Sequence, residues 1–366
     1  MCLASLTVSA AFGATITVIN TNDSGPGSLR QAIADASPGD TIIFDVTGTI
    51  TLAIPLGIGK NLTITGPGAS SLTISGNNAV RVIEVGPGVI ATISGITVAN
   101  GNTNGEFYGG AILNWGTLAL DRIVATGNFG SQGAILNIGS LTLANSTLTN
   151  NSASYYGGGI ENCCGGSATV TNSTISGNHA SVAGGGIANF AGSSLTLINS
   201  TIAGNTASFY LGSGIYNEGA ASLTFTTIWG NSGGGAAGIY TTGPSFVMKN
   251  VIVANSSSGN CAGVVSSLGH NLSDDSSCSL TGPGDLNNIP AGLDPGGLQN
   301  NGGLTQTVAL LATSQAKDAV PLAYCTDAFG NPVPTDQRGV SRPQGSSCDI
   351  GSVELRADAT TTTQLE

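Results

Sequence analysis

The sequence predicts an all-β fold, a right-handed parallel β-helix in which short strands form the successive coils of a solenoid. A Gly-x-Ile-x-Asn segment recurs along the chain, and stretches in which apolar residues alternate with Thr follow each copy. The composition agrees, because 56 of the 366 residues are Gly and only 8% are charged. Gly, Ser, Thr and Asn are poor helix formers that favour short strands and tight turns.

The repeat gives the length of one coil. Successive repeat isoleucines are 23, 25, 27, 28 and 24 residues apart, and they are Ile112, Ile135, Ile160, Ile187, Ile215 and Ile239. A period of two predicts strands with one buried face, and coils stacked about 4.8 Å apart would pair each strand with its counterpart. Asn side chains at equivalent turns should then form ladders along the axis. The candidates are Asn114, Asn137, Asn162, Asn189 and Asn217 in one row and Asn151, Asn178, Asn205, Asn231 and Asn255 in another.

We divide the chain into five segments. Residues 1–13 resemble the remnant of a signal peptide, an apolar run that ends in small residues. Residues 14–40 should form an N-terminal strand and a capping helix, with Ser28 as the N-cap of an amphipathic segment. Regular coils are expected over 41–256, degraded coils and a C-terminal cap over 257–356, and a disordered tail over 357–366.

Charge and cysteine usage favour an exported, extracellular protein. The net charge is −11, and the nine Lys and Arg residues form no cluster, so nucleic acid is not an expected partner. No apolar run is long enough for a transmembrane segment. Two pairs are expected to form disulfides in an oxidising compartment, Cys261 with Cys278 and Cys325 with Cys348. The state of Cys163 and Cys164 stays open.

Several motifs resemble those of a known family. The stretches 301–307 and 336–343, together with Cys348-Asp349-Ile350-Gly351, resemble the choice-of-anchor Q domain family of bacterial surface proteins. The repeats around Gly109-Gly110-Ala111-Ile112 are similar to those of chlamydial polymorphic outer membrane proteins. The resemblance implies a pectin-lyase-like β-helix at or outside a bacterial cell. It brings no catalytic residues that could be carried over to this chain.

Ionisable residues are scarce in the coils, which argues against an enzyme without excluding one. Glu161 and Glu218 are weak catalytic candidates. Both are expected to face outward, and two coils would separate them by about 9.6 Å. This is close to the upper limit of roughly 9.5 Å for an inverting glycosidase. The alternative interpretation is that they are two solvated surface carboxylates. His179 is expected to be a surface residue.

The sequence predicts no cofactor and no metal site, with one reservation. Four acidic residues in the irregular region could together hold a structural calcium ion, although turn formation is a simpler explanation for them. They are Asp274, Asp275, Asp285 and Asp294.

Aromatic residues make up only 5% of the chain, yet they gather at equivalent positions of successive coils. Such rows suit sugar faces or other surfaces. The candidate ligand-binding residues are Phe107, Tyr108, Trp115, Tyr155, Tyr156, Phe209, Tyr210, Tyr216 and Tyr240, with Phe129 and Phe190 near them. We therefore expect non-catalytic binding or adhesion to an extracellular glycan or a cell-surface component. A polysaccharide lyase or glycoside hydrolase and a passive structural spacer are the alternatives.

Overall fold

The computed structural model describes residues 13–103, 105–106, 108–209, 211–233 and 238–356. The predicted tail, Phe107, Tyr210 and all but the last residue of the predicted signal-peptide remnant lie outside the described residues. The described chain is a parallel β-helix, as the repeat predicted. Its coils form three long parallel sheets and a shorter fourth one.

The first and third sheets contain 11 strands each. The first sheet consists of β1 Thr15–Val18, β2 Thr41–Phe44, β5 Leu62–Thr65, β8 Ile90–Ser94, β11 Thr117–Asp121, β15 Ser140–Ala144, β19 Ser167–Thr171, β23 Ser194–Ile198, β27 Ala220–Thr224, β31 Ser245–Lys249 and β34 Ser266–Ser267. The third sheet consists of β3 Gly48–Thr51, β6 Leu72–Ser75, β9 Thr97–Ala99, β12 Val124–Thr126, β16 Thr147–Thr149, β20 Thr174–Ser176, β24 Thr201–Ala203, β28 Thr227–Trp229, β32 Ile252–Ala254, β35 Leu272–Ser273 and β36 Leu286–Asn287.

The second sheet, of nine strands, contains the Gly-x-Ile-x-Asn segments. Its strands are β4 Leu56–Ile58, β7 Ile83–Val85, β10 Ile112–Asn114, β14 Ile135–Asn137, β18 Ile160–Asn162, β22 Ile187–Asn189, β26 Ile215–Asn217, β30 Ile239–Thr241 and β33 Cys261–Gly263. The repeat did not reveal a fourth sheet, whose strands come directly before those of the second sheet along the chain in the middle coils. Its five strands are β13 Phe129–Gln132, β17 Ser152–Tyr156, β21 His179–Ala180, β25 Thr206–Ala207 and β29 Ser232–Gly233.

One hydrophobic core runs along the solenoid. The repeat isoleucines pair one-to-one between adjacent strands, and their side chains are completely buried. The helix α1, Leu29–Asp35, adds Leu29, Ala32 and Ile33 to the same core cluster. Ser28 caps it as predicted, because its Oγ accepts a hydrogen bond from the backbone N–H of Gln31 at 3.2 Å.

Two asparagine ladders stabilise the coils. In the first ladder, which runs from Asn114 to Asn217, the side-chain Nδ2 of each Asn donates to the side-chain Oδ1 of the ladder Asn in the next coil at 2.7 Å. The second ladder links Asn128, Asn151, Asn178, Asn205 and Asn231 at 2.9 to 3.0 Å. Asn255 does not extend it, contrary to the prediction. It is exposed, with a φ of 57°, and occupies the position of Gly230, one residue too early for the ladder.

The chain after β36 runs back along the outer side of the third sheet. It forms the antiparallel hairpin of β37 Leu293–Gln299 and β38 Thr307–Leu310, then a short 3₁₀ helix, Leu322–Tyr324. Gln337 is buried against β20 and β24, where its amide donates to Thr174 Oγ1 at 2.9 Å and accepts from Thr201 Oγ1 at 2.7 Å. The predicted disulfides Cys261–Cys278 and Cys325–Cys348 are both present.

Candidate ligand-binding surface

The outer face of the second sheet brings together most of the predicted site residues. The strand register aligns Leu136, Glu161, Ala188, Tyr216 and Tyr240 in one column. The residues two positions later form the adjoining column, which contains Trp115, Ile138, Cys163, Phe190 and Glu218. This arrangement confirms that Tyr216 and Tyr240 share the column of Glu161.

Four aromatic rings form a continuous row on this face, which we call the aromatic strip: Tyr156, Phe190, Tyr216 and Tyr240. The ring of Tyr156 meets Phe190 edge-on at 5.1 Å and lies 6.0 Å from Tyr216. Tyr216 and Tyr240 are stacked 5.6 Å apart and within 11° of parallel. All four side chains are half-buried. Each of these four residues is therefore partly covered by its neighbours and partly accessible to solvent.

Glu218 positions the centre of the strip. The hydroxyl of Tyr216 donates a 2.5 Å hydrogen bond to Glu218 Oε1. Burial, and then the bond to this carboxylate, raise the pKa of Tyr216, so its hydroxyl remains a donor at physiological pH. Glu218 lies in the Phe190 column, not in the column of Glu161, so the two candidate carboxylates differ in column as well as in coil.

The interpretation of Glu161 as a solvated, outward carboxylate is wrong. Its side chain is only 2% exposed, and its Oε2 has no hydrogen-bond partner among the described residues. Burial raises its pKa from 4.5 to about 8. Glu161 points away from the central core but is not exposed, because a layer of other side chains is also packed on this outer face of the second sheet. At neutral pH Glu161 is therefore a buried, uncharged carboxylic acid.

That layer continues towards the N-terminus as a small apolar cluster. Leu113, Leu136 and Cys163 are buried together, and Tyr108 and Phe190 pack against them. The guanidinium of Arg81 lies over the Tyr108 ring, with its Cζ 4.7 Å from the ring centroid. Tyr108 thus lies outside the aromatic strip, packed between this apolar cluster and Arg81.

The other predicted aromatic residues are more exposed and lie outside the strip. Trp115 is 38% exposed, Tyr155 42% and Phe209 74%. Phe129 pairs with Ser152 at the start of β17, so it does not share a column with Tyr155 or Tyr156. Phe190 was not among the candidate ligand-binding residues, although it lies in the strip. Its shared column with Trp115 was the available signal.

The four acidic residues considered for calcium accept hydrogen bonds from backbone N–H groups. Asp274 accepts from the backbone N–H of Asn255 at 2.8 Å, and Asp275 from the backbone N–H of Asn260 at 2.9 Å. Asp285 and Asp294 accept from backbone N–H groups in the same way. Across the described part of the chain, no group of three or more His, Cys, Asp or Glu side chains is arranged to hold a metal ion. His179 is half-buried, and its Nδ1 lies within hydrogen-bond distance of Thr206 Oγ1, at 3.0 Å.

Comparison with known proteins supports the fold and leaves the family open. No protein-family model matches the chain, and no curated protein matches it. Among solved structures it is similar to the crystal structure of pectate lyase Pel9A, at 14% sequence identity and a TM-score of 0.50, over 94% of this chain and 97% of that chain. This likeness shows the fold alone. The chain therefore has a parallel β-helix fold similar to that of this pectate lyase, while membership of the choice-of-anchor Q family remains a prediction.

Proposed function

We propose that this protein is an extracellular β-helix that binds a neutral glycan non-catalytically through the aromatic strip. The observation that supports this proposal is the row of four contiguous, half-buried aromatic rings from Tyr156 to Tyr240. Aromatic side chains provide a rigid apolar surface with polar tips, which suits a sugar chain that offers both C–H faces and hydroxyls. The hydroxyl of Tyr216, held by Glu218, supplies such a polar tip.

The charge of the protein favours a neutral ligand over an acidic polysaccharide. The chain has a net charge of −11, and the carboxylate beside the strip belongs to Glu218. An acidic glycan would be repelled by this field, whereas a neutral one would not. Uronate polymers are therefore the expected non-ligands.

An extracellular location is supported by the two disulfides, which form and persist in oxidising compartments. Within the described ranges, no helix has both the length and the apolar character needed to cross a membrane. Attachment to a bacterial cell surface, which the choice-of-anchor Q resemblance implies, is part of the same proposal.

Glycosidic-bond cleavage is the second candidate function, and Glu161 is the observation that favours it. A buried carboxyl group with a pKa of about 8 is protonated at neutral pH, which is the state a general acid needs. However, Glu161 is only 2% exposed, so a substrate could reach it only if neighbouring side chains moved. Glu218, the other candidate carboxylate, accepts a hydrogen bond from the Tyr216 hydroxyl at Oε1 and lies in the adjoining column, not in that of Glu161.

A two-part experiment separates these functions. Retardation of the native protein is measured in gels containing xyloglucan, mixed-linkage β-glucan, galactomannan or polygalacturonate, and the same polymers are assayed for new reducing ends and unsaturated products, with and without calcium. We expect retardation by at least one neutral polymer, none by polygalacturonate, and no cleavage. Cleavage that is lost in Glu161→Gln would establish the enzyme instead. If the protein shows no retardation and no cleavage with any of these polymers, the glycan proposal is wrong.

A further inference from the structure

We propose that Cys163 and Cys164 form a reversible vicinal disulfide, and that the turn following β18 is preorganised for its closure. This inference does not depend on glycan binding. The two sulfur atoms lie 2.7 Å apart, compared with about 2.05 Å in a disulfide bond. Cys163 is buried beside the apolar cluster of the second sheet, while Cys164 is exposed.

The backbone of this turn has an unusual conformation at Cys164. The carbonyl of Cys163 accepts a 2.9 Å hydrogen bond from the N–H of Gly166, which closes a four-residue turn. Both central residues have positive φ, 62° at Cys164 and 87° at Gly165. Two central residues with positive φ define a type I′ turn, which favours Asn, Asp and Gly at these positions. Cysteine is not one of the residues that this conformation selects.

A turn of the same length one coil later shows that length alone does not require this conformation. There the N–H of Ser193 donates to the carbonyl of Phe190 at 3.0 Å, and Gly192 has a φ of 80°. Ala191, the counterpart of Cys164, does not have a positive φ. The left-handed conformation of Cys164 is thus particular to the turn that brings two sulfur atoms together. Strained backbone of this kind persists where the local structure has a reason to hold it.

The closure can be written as ordinary thiol–disulfide exchange. Exposed Cys164, as the thiolate, attacks a small disulfide such as oxidised glutathione, forms a mixed disulfide and releases one thiol. Cys163 then attacks the Cys164 sulfur and releases the second thiol. The protein loses two protons and two electrons, and the glutathione disulfide is reduced to two glutathione molecules. This order follows from accessibility and acidity, since burial raises the pKa of the Cys163 thiol.

Peptide mass measurement tests the proposal directly. Cys163 and Cys164 are the only cysteines between Arg122 and Lys249, and no other Lys or Arg lies in that interval, so trypsin releases both in fragment 123–249. The full chain is equilibrated with oxidised glutathione, unfolded, alkylated with iodoacetamide and digested. We expect an unalkylated fragment that is lighter by two hydrogen atoms than the dithiol, and two alkylated thiols after prior reduction. Two alkylated thiols without reduction, or a stable glutathione adduct, would overturn the proposal.

The Phe190 turn provides a matched control for preorganisation. The variant Cys163→Ala/Cys164→Gly/Phe190→Cys/Ala191→Cys moves the pair to the turn of equal length and still leaves only two cysteines in fragment 123–249. Circular dichroism verifies that it is folded. We expect the native pair to close at an at least tenfold lower ratio of oxidised to reduced glutathione. Equal ratios would show that the turn after β18 contributes nothing to closure.

Discussion

The rings of Tyr216 and Tyr240 are stacked 5.6 Å apart and within 11° of parallel, although a complete coil of the chain separates the two residues. Their strands β26 and β30 pair one-to-one, so equivalent side chains follow one another at roughly the strand spacing of 4.8 Å. The solenoid therefore turns a sequence repeat into a row of adjacent side chains. The same principle produces the asparagine ladders, whereas Tyr156 and Phe190 join the aromatic strip from other columns.

The ladder explains the first prediction, which concerns Asn162→Ala. Asn162 is completely buried, accepts from Asn137 and donates to Asn189, both at 2.7 Å. The substitution removes both of these buried hydrogen bonds and takes away the donor to Asn189 Oδ1, so we expect the free energy of unfolding to fall by about 2 to 4 kcal/mol. Urea unfolding followed by circular dichroism measures it. Exposed Asn22→Ala is the control, expected to change stability by less than about 0.5 kcal/mol. Equal effects of the two substitutions would contradict the ladder's role.

The second prediction concerns pH and Glu161. Its pKa is raised on folding from 4.5 to about 8, so between these values the folded chain holds a proton that the unfolded chain has lost. The contribution of Glu161 to stability therefore decreases as pH rises through this window, by about 1.4 kcal/mol per pH unit, and levels off above pH 8.

The variant Glu161→Gln removes this titration, so the difference in unfolding free energy between variant and wild type should shift in favour of the variant from pH 5 to pH 8. Urea unfolding at several pH values measures that difference. Other buried carboxyl groups, such as Glu354, are common to both proteins and cancel. Glu106→Gln, at a 70% exposed position, is the control. A pH-independent difference for Glu161→Gln would mean that Glu161 is ionised in the folded protein.

The third prediction concerns the buried ion pair that holds the C-terminal region together. Arg342 Nη1 lies 2.7 Å from Glu354 Oε2, both side chains are at most 1% exposed, and the guanidinium stacks over Phe225 at 4.2 Å. Arg342→Met leaves a buried carboxylate without its partner, so we expect a loss of about 3 to 5 kcal/mol in unfolding free energy.

The exposed pair of Arg122 and Asp121 provides the matched control, because Arg122 is 59% exposed. Arg122→Met should cost no more than about 1 kcal/mol. Limited proteolysis gives a second readout, since a loosened C-terminal region would be cleaved from the third sheet before the coils unfold. A similar loss in the two variants would show that burial of the Arg342 pair has no special importance.

The repeat made the coils predictable, because every strand obeys the same alternation and inherits the same neighbours. Ile160 and Asn162 could thus be placed correctly from sequence alone. The burial of Glu161 between them could not, because it depends on side chains of other strands, such as Leu136 and Ala188, which lie beside it in the register. The path of the chain after β36 also lacked a signal, because the contacts of Gln337 join segments more than 130 residues apart that share no repeat.

Binding of a neutral glycan by the aromatic strip can be tested by comparing two variants with the wild type. Retardation in gels containing the neutral polymer that binds the wild type is measured for Tyr216→Ala/Tyr240→Ala and for Phe329→Ala, which removes a 76% exposed ring in the C-terminal region. Both variants are first shown to be folded by circular dichroism. We predict at least a tenfold weaker affinity, about 1.4 kcal/mol, for the double variant and no change for Phe329→Ala. Unchanged affinity of the folded double variant would contradict the assignment of the strip as the binding surface.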